Sequence, residues 1–230
     1  MKTIGLIGGM SWESTLPYYR RINEEVRARL GGLHSARLIL YSVDFHDVER
    51  LQEAGDWDAA GALLARAAVA LQAAGADFLL LCTNTMHRVA GEIEAAVTIP
   101  LLHIADATAT AVADSGYHTV GLLGTRFTME EAFYRDRLQE VHGLRVVVPA
   151  AAARAAVHRI IYDELCRGII RRESRELYRQ AIDELAVQGA QAIILGCTEI
   201  ALLVGARDSP LPLFDTATLH ALAAVDLALA

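Results

Sequence analysis

Two short stretches decide the fold: Thr3-Ile4-Gly5-Leu6-Ile7-Gly8-Gly9 and Thr119-Val120-Gly121-Leu122-Leu123-Gly124-Thr125. Each is an aliphatic, β-branched run that ends in small residues, which reads as a strand entering a turn. Residues 71–81 (LQAAGADFLLL) and 185–195 (LAVQGAQAIIL) repeat at nearly the same offset. Both lead into a Cys-Thr pair, Cys82-Thr83 and, one residue later in register, Cys197-Thr198. Pro100-Leu101-Leu102 is echoed by Pro212-Leu213-Phe214. A duplication at near-constant offset predicts two similar lobes.

Outward from these stretches, short β-rich runs alternate with amphipathic ones, the signature of βαβ units and parallel sheets. Strands are expected at 3–7, 37–43, 78–82, 101–104, 119–123, 145–148, 192–195 and 213–214. Helices are expected at 18–30, 59–74, 129–141, 155–167, 174–188 and 216–230. The predicted class is α/β: two Rossmann-like lobes with parallel sheets, related by a pseudo-two-fold axis, with the active site between them. The expected division is 1–100 plus 213–230 for the N-terminal lobe and 101–212 for the C-terminal lobe.

Composition narrows the function. With 53% hydrophobic and 21% charged residues the chain can bury a core, unlike a disordered chain. A net charge of -7 argues against nucleic-acid or anionic-membrane partners. Three cysteines, an odd number without a CxxC, point to a reducing compartment rather than a disulfide framework. No Cys or His spacing suits zinc, so no metal is expected. The most apolar stretch, 59–82, is interrupted by Arg66, Gln72 and Asp77, so no membrane span is expected. No secretory leader is recognised at the start, and a cytoplasmic protein is expected. Lys2 is the only lysine and a poor Schiff-base candidate, which sets pyridoxal phosphate chemistry aside.

Ligands of parallel α/β sheets sit at the carboxyl ends of the strands. Cys82 and Cys197 both fall there, at strand-to-helix turns, where a helix N-terminus is expected to lower a thiol pKa. Two thiols facing one cleft suit proton removal on one face of a carbon and proton return on the other. Thr83-Asn84-Thr85, Thr198 and the turn Gly8-Gly9-Met10-Ser11 could donate hydrogen bonds to a substrate carboxylate. Cys166 is assigned to packing. His87 reads as a helix-surface histidine, and His103 and His220 either line the cleft or pack. Gly5-x-x-Gly8-Gly9 is not a G-x-G-x-x-G fingerprint, so a ribose-binding role for Asp44 fails with it. Arg20-Arg21 and Arg171-Arg172 read as solvated helix charges.

The segments IGLIGGMSWEST (4–15), LCTNTMH (81–87) and GCTEI (196–200) resemble the marks of the cofactor-independent aspartate/glutamate racemase family, over essentially the whole chain. LGGLHSA (30–36), SVDFH (42–46), LHIADAT (102–108), LLGTRFTM (122–129) and FDTA (214–217) look most like its broad-specificity amino-acid racemase branch. The resemblance implies an isomerase that needs no cofactor, with Cys82 and Cys197 as catalytic acid/bases. It implies substrate contacts from Met10, Ser11, Thr83, Asn84, Thr85, Thr125, Thr128, Thr198 and Glu199, with Gln52 added less directly. It also implies an amino-acid substrate and a homodimer.

Two departures matter. Aspartate-specific relatives carry an arginine after the second strand and a lysine near 155–165 to hold the side-chain carboxylate. Here Glu49 or Arg50 stands near the first position and no lysine near the second. Arg154 could substitute, but a guanidinium fork is not a lysine point charge. A broader range is therefore expected: glutamate, aspartate or a neutral polar amino acid. The alternatives are another cysteine-dependent member of the superfamily (hydantoin racemase, maleate isomerase or arylmalonate decarboxylase) and a non-catalytic small-ligand binder.

Overall fold

The structure is a computed structural model that describes Met1–Ala230. The most apolar runs become the central strands. Ile4–Gly8 (β1), Phe78–Leu81 (β3) and Ala192–Gly196 (β7) are buried throughout, and Thr119–Gly124 (β5) at all but its first residue. Strands covered on both faces read as continuous hydrophobic runs rather than alternating ones. Leu38–Ser42 (β2), Leu101–Leu102 (β4), Arg145–Val147 (β6) and Leu213–Asp215 (β8) flank them. They form two four-stranded sheets, β2-β1-β3-β4 and β6-β5-β7-β8, parallel at every pairing.

The helices are α1 (Trp12–Leu30), α2 (Phe45–Ala54), α3 (Trp57–Ala73), α4 (Ala90–Ala96), α5 (Ile104–Asp114), α6 (Arg126–Glu130), α7 (Ala132–Asp136), α8 (Ala151–Asp163), α9 (Arg172–Val187), α10 (Ile200–Leu203) and α11 (Thr216–Leu229). None is long and apolar enough to cross a membrane. In the first sheet, Leu64, Ala67, Ala68 and Leu71 of α3 pack with Ile7, Leu79 and Leu81 in one core.

Residues 1–104 with 220–230 form one compact unit, and residues 105–219 the other. The expected boundaries of 101 and 213 need correction. Leu101 and Leu102 pair with Leu79 and Leu80, so β4 belongs to the first sheet. Leu213 and Phe214 pair with Ile193 and Ile194, so β8 belongs to the second. A strand goes where its backbone donors and acceptors are matched. The two proline segments do equivalent work here: Leu79 N–H donates to the Pro100 carbonyl and Ile193 N–H to that of Pro212, each at 2.9 Å.

The helix expected at 129–141 is broken. α6 ends at Glu131, whose backbone is extended, α7 comes next, and a π-type turn closes Arg137–Val141. The bend carries Arg137 and His142 onto one carboxylate. Arg137 donates to Asp106 at 2.6 and 2.7 Å and His142 Nε2 lies 2.9 Å from it. Burial alone would raise the Asp106 carboxyl, but these bonds outweigh it and hold the group below the usual carboxylate range. The expected helix at 155–167 likewise stops at Asp163, and a separate 3-10 turn covers Leu165–Arg167. α2, missed in the sequence, is capped by Asp44, whose side chain accepts the His46 N–H at 3.0 Å.

The duplication is visible in hydrogen bonds. Gly75 ends α3 with φ +97 and Gly189 ends α9 with φ +92. Gly75 N–H donates to Gln72 and Ala76 N–H to Leu71; Gly189 N–H donates to Ala186 and Ala190 N–H to Leu185. The same left-handed closure turns each helix into the next buried strand. A Cβ on Gly189 would meet no atom within 4 Å, so its substitution carries only the backbone penalty. Gly189→Ala should lower the free energy of unfolding by about 1–2 kcal/mol, and Gly189→Asn by less, read from urea denaturation.

Candidate active site

In the first unit, two neighbouring strands deliver their carboxyl ends to one place. β1 and β3 are in register through Ile7 and Leu81. Cys82 is the first residue past β3, and its N–H extends the ladder to the Ile7 carbonyl at 2.9 Å. Met10 and Ser11 come after β1. Gly9 makes that turn possible: its φ is +94, and a Cβ there would lie 2.3 Å from the Val43 carbonyl oxygen. Its N–H donates to Thr15 Oγ1 at 2.9 Å, and the Thr15 and Ser14 hydroxyls both donate to the Ser11 carbonyl. The turn after β1 is thus fixed from within α1.

The chain after Cys82 passes through Thr83 and Asn84 into a 3-10 turn, Thr85–Val89. Gln52 reaches this turn from α2 and donates to the Met86 sulfur at 2.9 Å. His87 does not lie on the surface as the sequence suggested. It is 3% exposed, with Nδ1 2.7 Å from the Thr83 carbonyl. Its ring packs on His103 at a tilt of 56° with centroids 4.3 Å apart and meets His220 edge-on at 6.1 Å. His103 and His220 therefore pack, of the two roles left open for them.

The second unit repeats the plan. β5 and β7 pair through Gly124 and Gly196. Thr125 and Cys197 are the next residues of their strands. Thr125 caps α6, its Oγ1 accepting the Thr128 N–H at 3.3 Å, with the two hydroxyls 3.2 Å apart. Cys197 Sγ donates to Glu199 Oε2 at 2.9 Å, and Thr198 Oγ1 donates to the same oxygen at 2.9 Å. Cys166, assigned to packing from sequence, places its sulfur 3.8 Å from the other Glu199 oxygen. Tyr178 lies close behind: its hydroxyl is pushed well up by burial first, then by Cys197 and Glu199. No sequence spacing links these groups.

Met10, Ser11, Gln52, Cys82, Thr83, Asn84 and Thr85 thus gather at the strand ends of the first unit. Thr125, Thr128, Cys197, Thr198 and Glu199 gather at those of the second. All are buried. The expected low thiol pKa values are overturned: burial pushes the Cys82 thiol up. Burial, then Glu199 and Cys166, push Cys197 well up. The physical reason is the shortness of the helical segments beyond the thiols. A 3-10 turn after Cys82 and a four-residue α10 after Cys197 offer little dipole, while desolvation disfavours the thiolate at full strength.

The side-chain clamp question has a partial answer. Arg50 is exposed on α2. Arg154 is already committed, with Nε 2.8 Å from Glu130 Oε1 and Nη1 donating to the Pro149 carbonyl at 2.8 Å. A guanidinium so held is not poised as a free carboxylate clamp.

Known proteins share this plan. The sequence profile described as Asp/Glu/Hydantoin racemase matches residues 7–224. A Bacillus subtilis (strain 168) protein named broad specificity amino-acid racemase RacX is 23% identical over 99% of this chain and 98% of its own length. A Yersinia pestis protein, described from its crystal structure as a candidate Asp/Glu racemase, is 60% identical with a TM-score of 0.93, covering 100% of both chains. PH1733 from Pyrococcus horikoshii OT3, described as an aspartate racemase homologue, is 35% identical with a TM-score of 0.85, again over 100% of both chains. By the extent of the profile match and the identity to these full-length structures, the chain belongs to the Asp/Glu/hydantoin racemase family.

Proposed function

We propose that this protein is an amino-acid racemase in which Cys82 and Cys197 invert the α-carbon as an acid/base pair, with no cofactor. The observation that carries this reading is the equivalence of the two thiols. Each is the first residue beyond the buried strand at the heart of its own parallel sheet, and each is followed by threonine. Cys197 falls one residue later in the repeat's register than Cys82, yet a packing cysteine has no reason to recur at the carboxyl end of the central strand in both halves.

In the reaction, one sulfur as thiolate takes the α-proton from one face. The electron pair left behind is delocalised into the substrate carboxylate. The other sulfur as thiol gives its proton to the opposite face, and the roles reverse for the other enantiomer. Charge builds on the carboxylate as the proton leaves. The hydroxyls and backbone N–H groups of Ser11, Thr83, Asn84, Thr85, Thr125, Thr128 and Thr198 are the donors we assign to hold it.

Burial keeps both sulfurs as thiols at neutral pH, so one must be deprotonated before it can act. One feature favours that step, and a second gives the proton a place to go. The α-ammonium of the substrate brings a positive charge that favours a nearby thiolate. For Cys197, the Glu199 carboxylate already accepts the S–H bond and can take the proton itself. We assign Glu199 as the proton partner of Cys197, in addition to any contact with substrate. For range, we infer glutamate, aspartate or a neutral polar amino acid. The name of the Bacillus subtilis relative and the occupied state of Arg154 both favour a site without a dedicated side-chain clamp.

The decisive measurement is incubation with each L-amino acid, with the D-enantiomer followed by chiral chromatography. In D2O, product should carry deuterium at the α-carbon. Turnover of a hydantoin, maleate or an arylmalonate with no D-amino acid from any substrate would move the protein to another branch of the family. Cys82→Ser and Cys197→Ser should each abolish racemisation, because a serine hydroxyl is far less acidic than a thiol; full activity in either would sink the two-thiol scheme. Glu199→Gln should lower kcat by on the order of 10²-fold. Since Glu199 raises the Cys197 thiol, the limb of the pH–rate profile that reports Cys197 should move to lower pH. A limb that stays in place would show that Glu199 does not act on this sulfur.

A further inference from the structure

We propose that His87 is a positioning residue for Cys82: its neutral imidazole ties the Thr83 carbonyl to the Ile104 amide and so fixes the segment directly after the thiol. This rests on the reading of Cys82 as a catalytic group.

The argument starts from what each atom can do. Thr83 offers a carbonyl oxygen, an acceptor only, 2.7 Å from Nδ1. Ile104 offers an amide N–H, a donor only, 3.2 Å from Nε2. Nδ1 therefore carries the proton and Nε2 the lone pair. The ring is a neutral Nδ1–H imidazole with both nitrogens engaged by backbone.

Its surroundings hold that state in place. His220 is fixed in the opposite tautomer: Nε2–H donates to the Leu102 carbonyl at 2.8 Å, while Nδ1 accepts from the Tyr18 hydroxyl at 3.0 Å. Two histidines thus grip the 102–104 segment, His220 at Leu102 and His87 at Ile104, with the His103 ring packed on His87. Tyr18 and His220 come from helices near the two ends of the chain, so the brace is anchored in distant parts of the same unit.

The brace acts where the sheet cannot. The Cys82 N–H is the last of the ladder. Beyond it the Thr83 carbonyl, in the next peptide along, has left the strand pairing; with the Cys82 N–H held by Ile7 on one side and the Thr83 carbonyl held by His87 on the other, the Cys82–Thr83 segment is fixed at both ends. A proton transfer is sensitive to such positioning. A histidine is suited to the span because its two ring nitrogens reach opposite ways at fixed separation.

Two variants separate the two bonds. In His87→Asn the amide nitrogen can occupy the place of Nδ1 and keep the Thr83 contact. In His87→Gln the amide oxygen can occupy the place of Nε2 and keep only the Ile104 contact. Folding of both is checked by thermal unfolding. His87→Asn should keep most of the wild-type kcat, while His87→Gln should lose about 10- to 100-fold in kcat with KM unchanged. Equal activity in the two, or a loss confined to KM, overturns the proposal. The 15N shifts of the His87 ring give a readout independent of turnover: a neutral Nδ1–H tautomer at pH 8 is expected, and an Nε2–H tautomer or an imidazolium overturns it. If wild-type protein racemises no amino acid, the racemase reading falls, and the ring shifts still decide whether His87 is set as described.

Discussion

Parallel pairing of two buried strands, carried out twice, is the constraint on which the rest depends. β1 beside β3 and β5 beside β7 bring two carboxyl ends side by side in each unit. Each end is followed by a turn that must leave the sheet at once, and the residues of those turns converge without crossing a strand. Met10 and Ser11 meet the Cys82 loop for this reason, and Thr125 meets Cys197 for the same one. Flanking helices bury both faces of the strands, so the strand ends are the natural outlet for chemistry.

Burial that builds the sheets also governs the sulfurs. Cys82 and Cys197 lie so deep that desolvation, not the helix ends beyond them, sets their acidity. A thiol held protonated in this way suits the acid half of a two-base exchange. In the proposed scheme the base half would depend on charges brought close: a substrate ammonium, and for Cys197 the carboxylate of Glu199. The two halves solve the problem with different neighbours. Cys197 has a carboxylate, a second sulfur and Tyr178 behind it, whereas the Cys82 loop is braced by a buried imidazole. The scaffold is duplicated but the support of each thiol is not.

Much of this was legible in the chain. The offset between 3–9 and 119–125 foretold two like α/β halves, because buried parallel strands need unbroken apolar runs and a copied strand keeps its copy of the turn. Cys82 and Cys197 stood out by recurring, within one residue of the same register, at the carboxyl ends of equivalent strands, and the family resemblance named most of the residues around them. The failures were of three physical kinds. Periodicity over 129–141 is helical, yet the segment bends to bring Arg137 and His142 onto Asp106, a partner over thirty residues away. Leu101 and Leu213 are apolar and alike in context, and only hydrogen-bond register decides which sheet each joins. His87 comes after a cysteine at a spacing common on exposed helix faces, and nothing local shows that it turns inward.

Sequence alone therefore determined the class of the fold and its duplication, and singled out the two sulfurs for the proposed chemistry, since these arise from patterns repeated along one dimension. Tertiary structure decided which strand closes each sheet, the burial that pushes both thiols up, the pairing of Glu199 with both Cys197 and Cys166, and the inward turn of His87. Those outcomes turn on desolvation and on contacts between residues far apart in the chain, and neither leaves a periodic trace along the sequence.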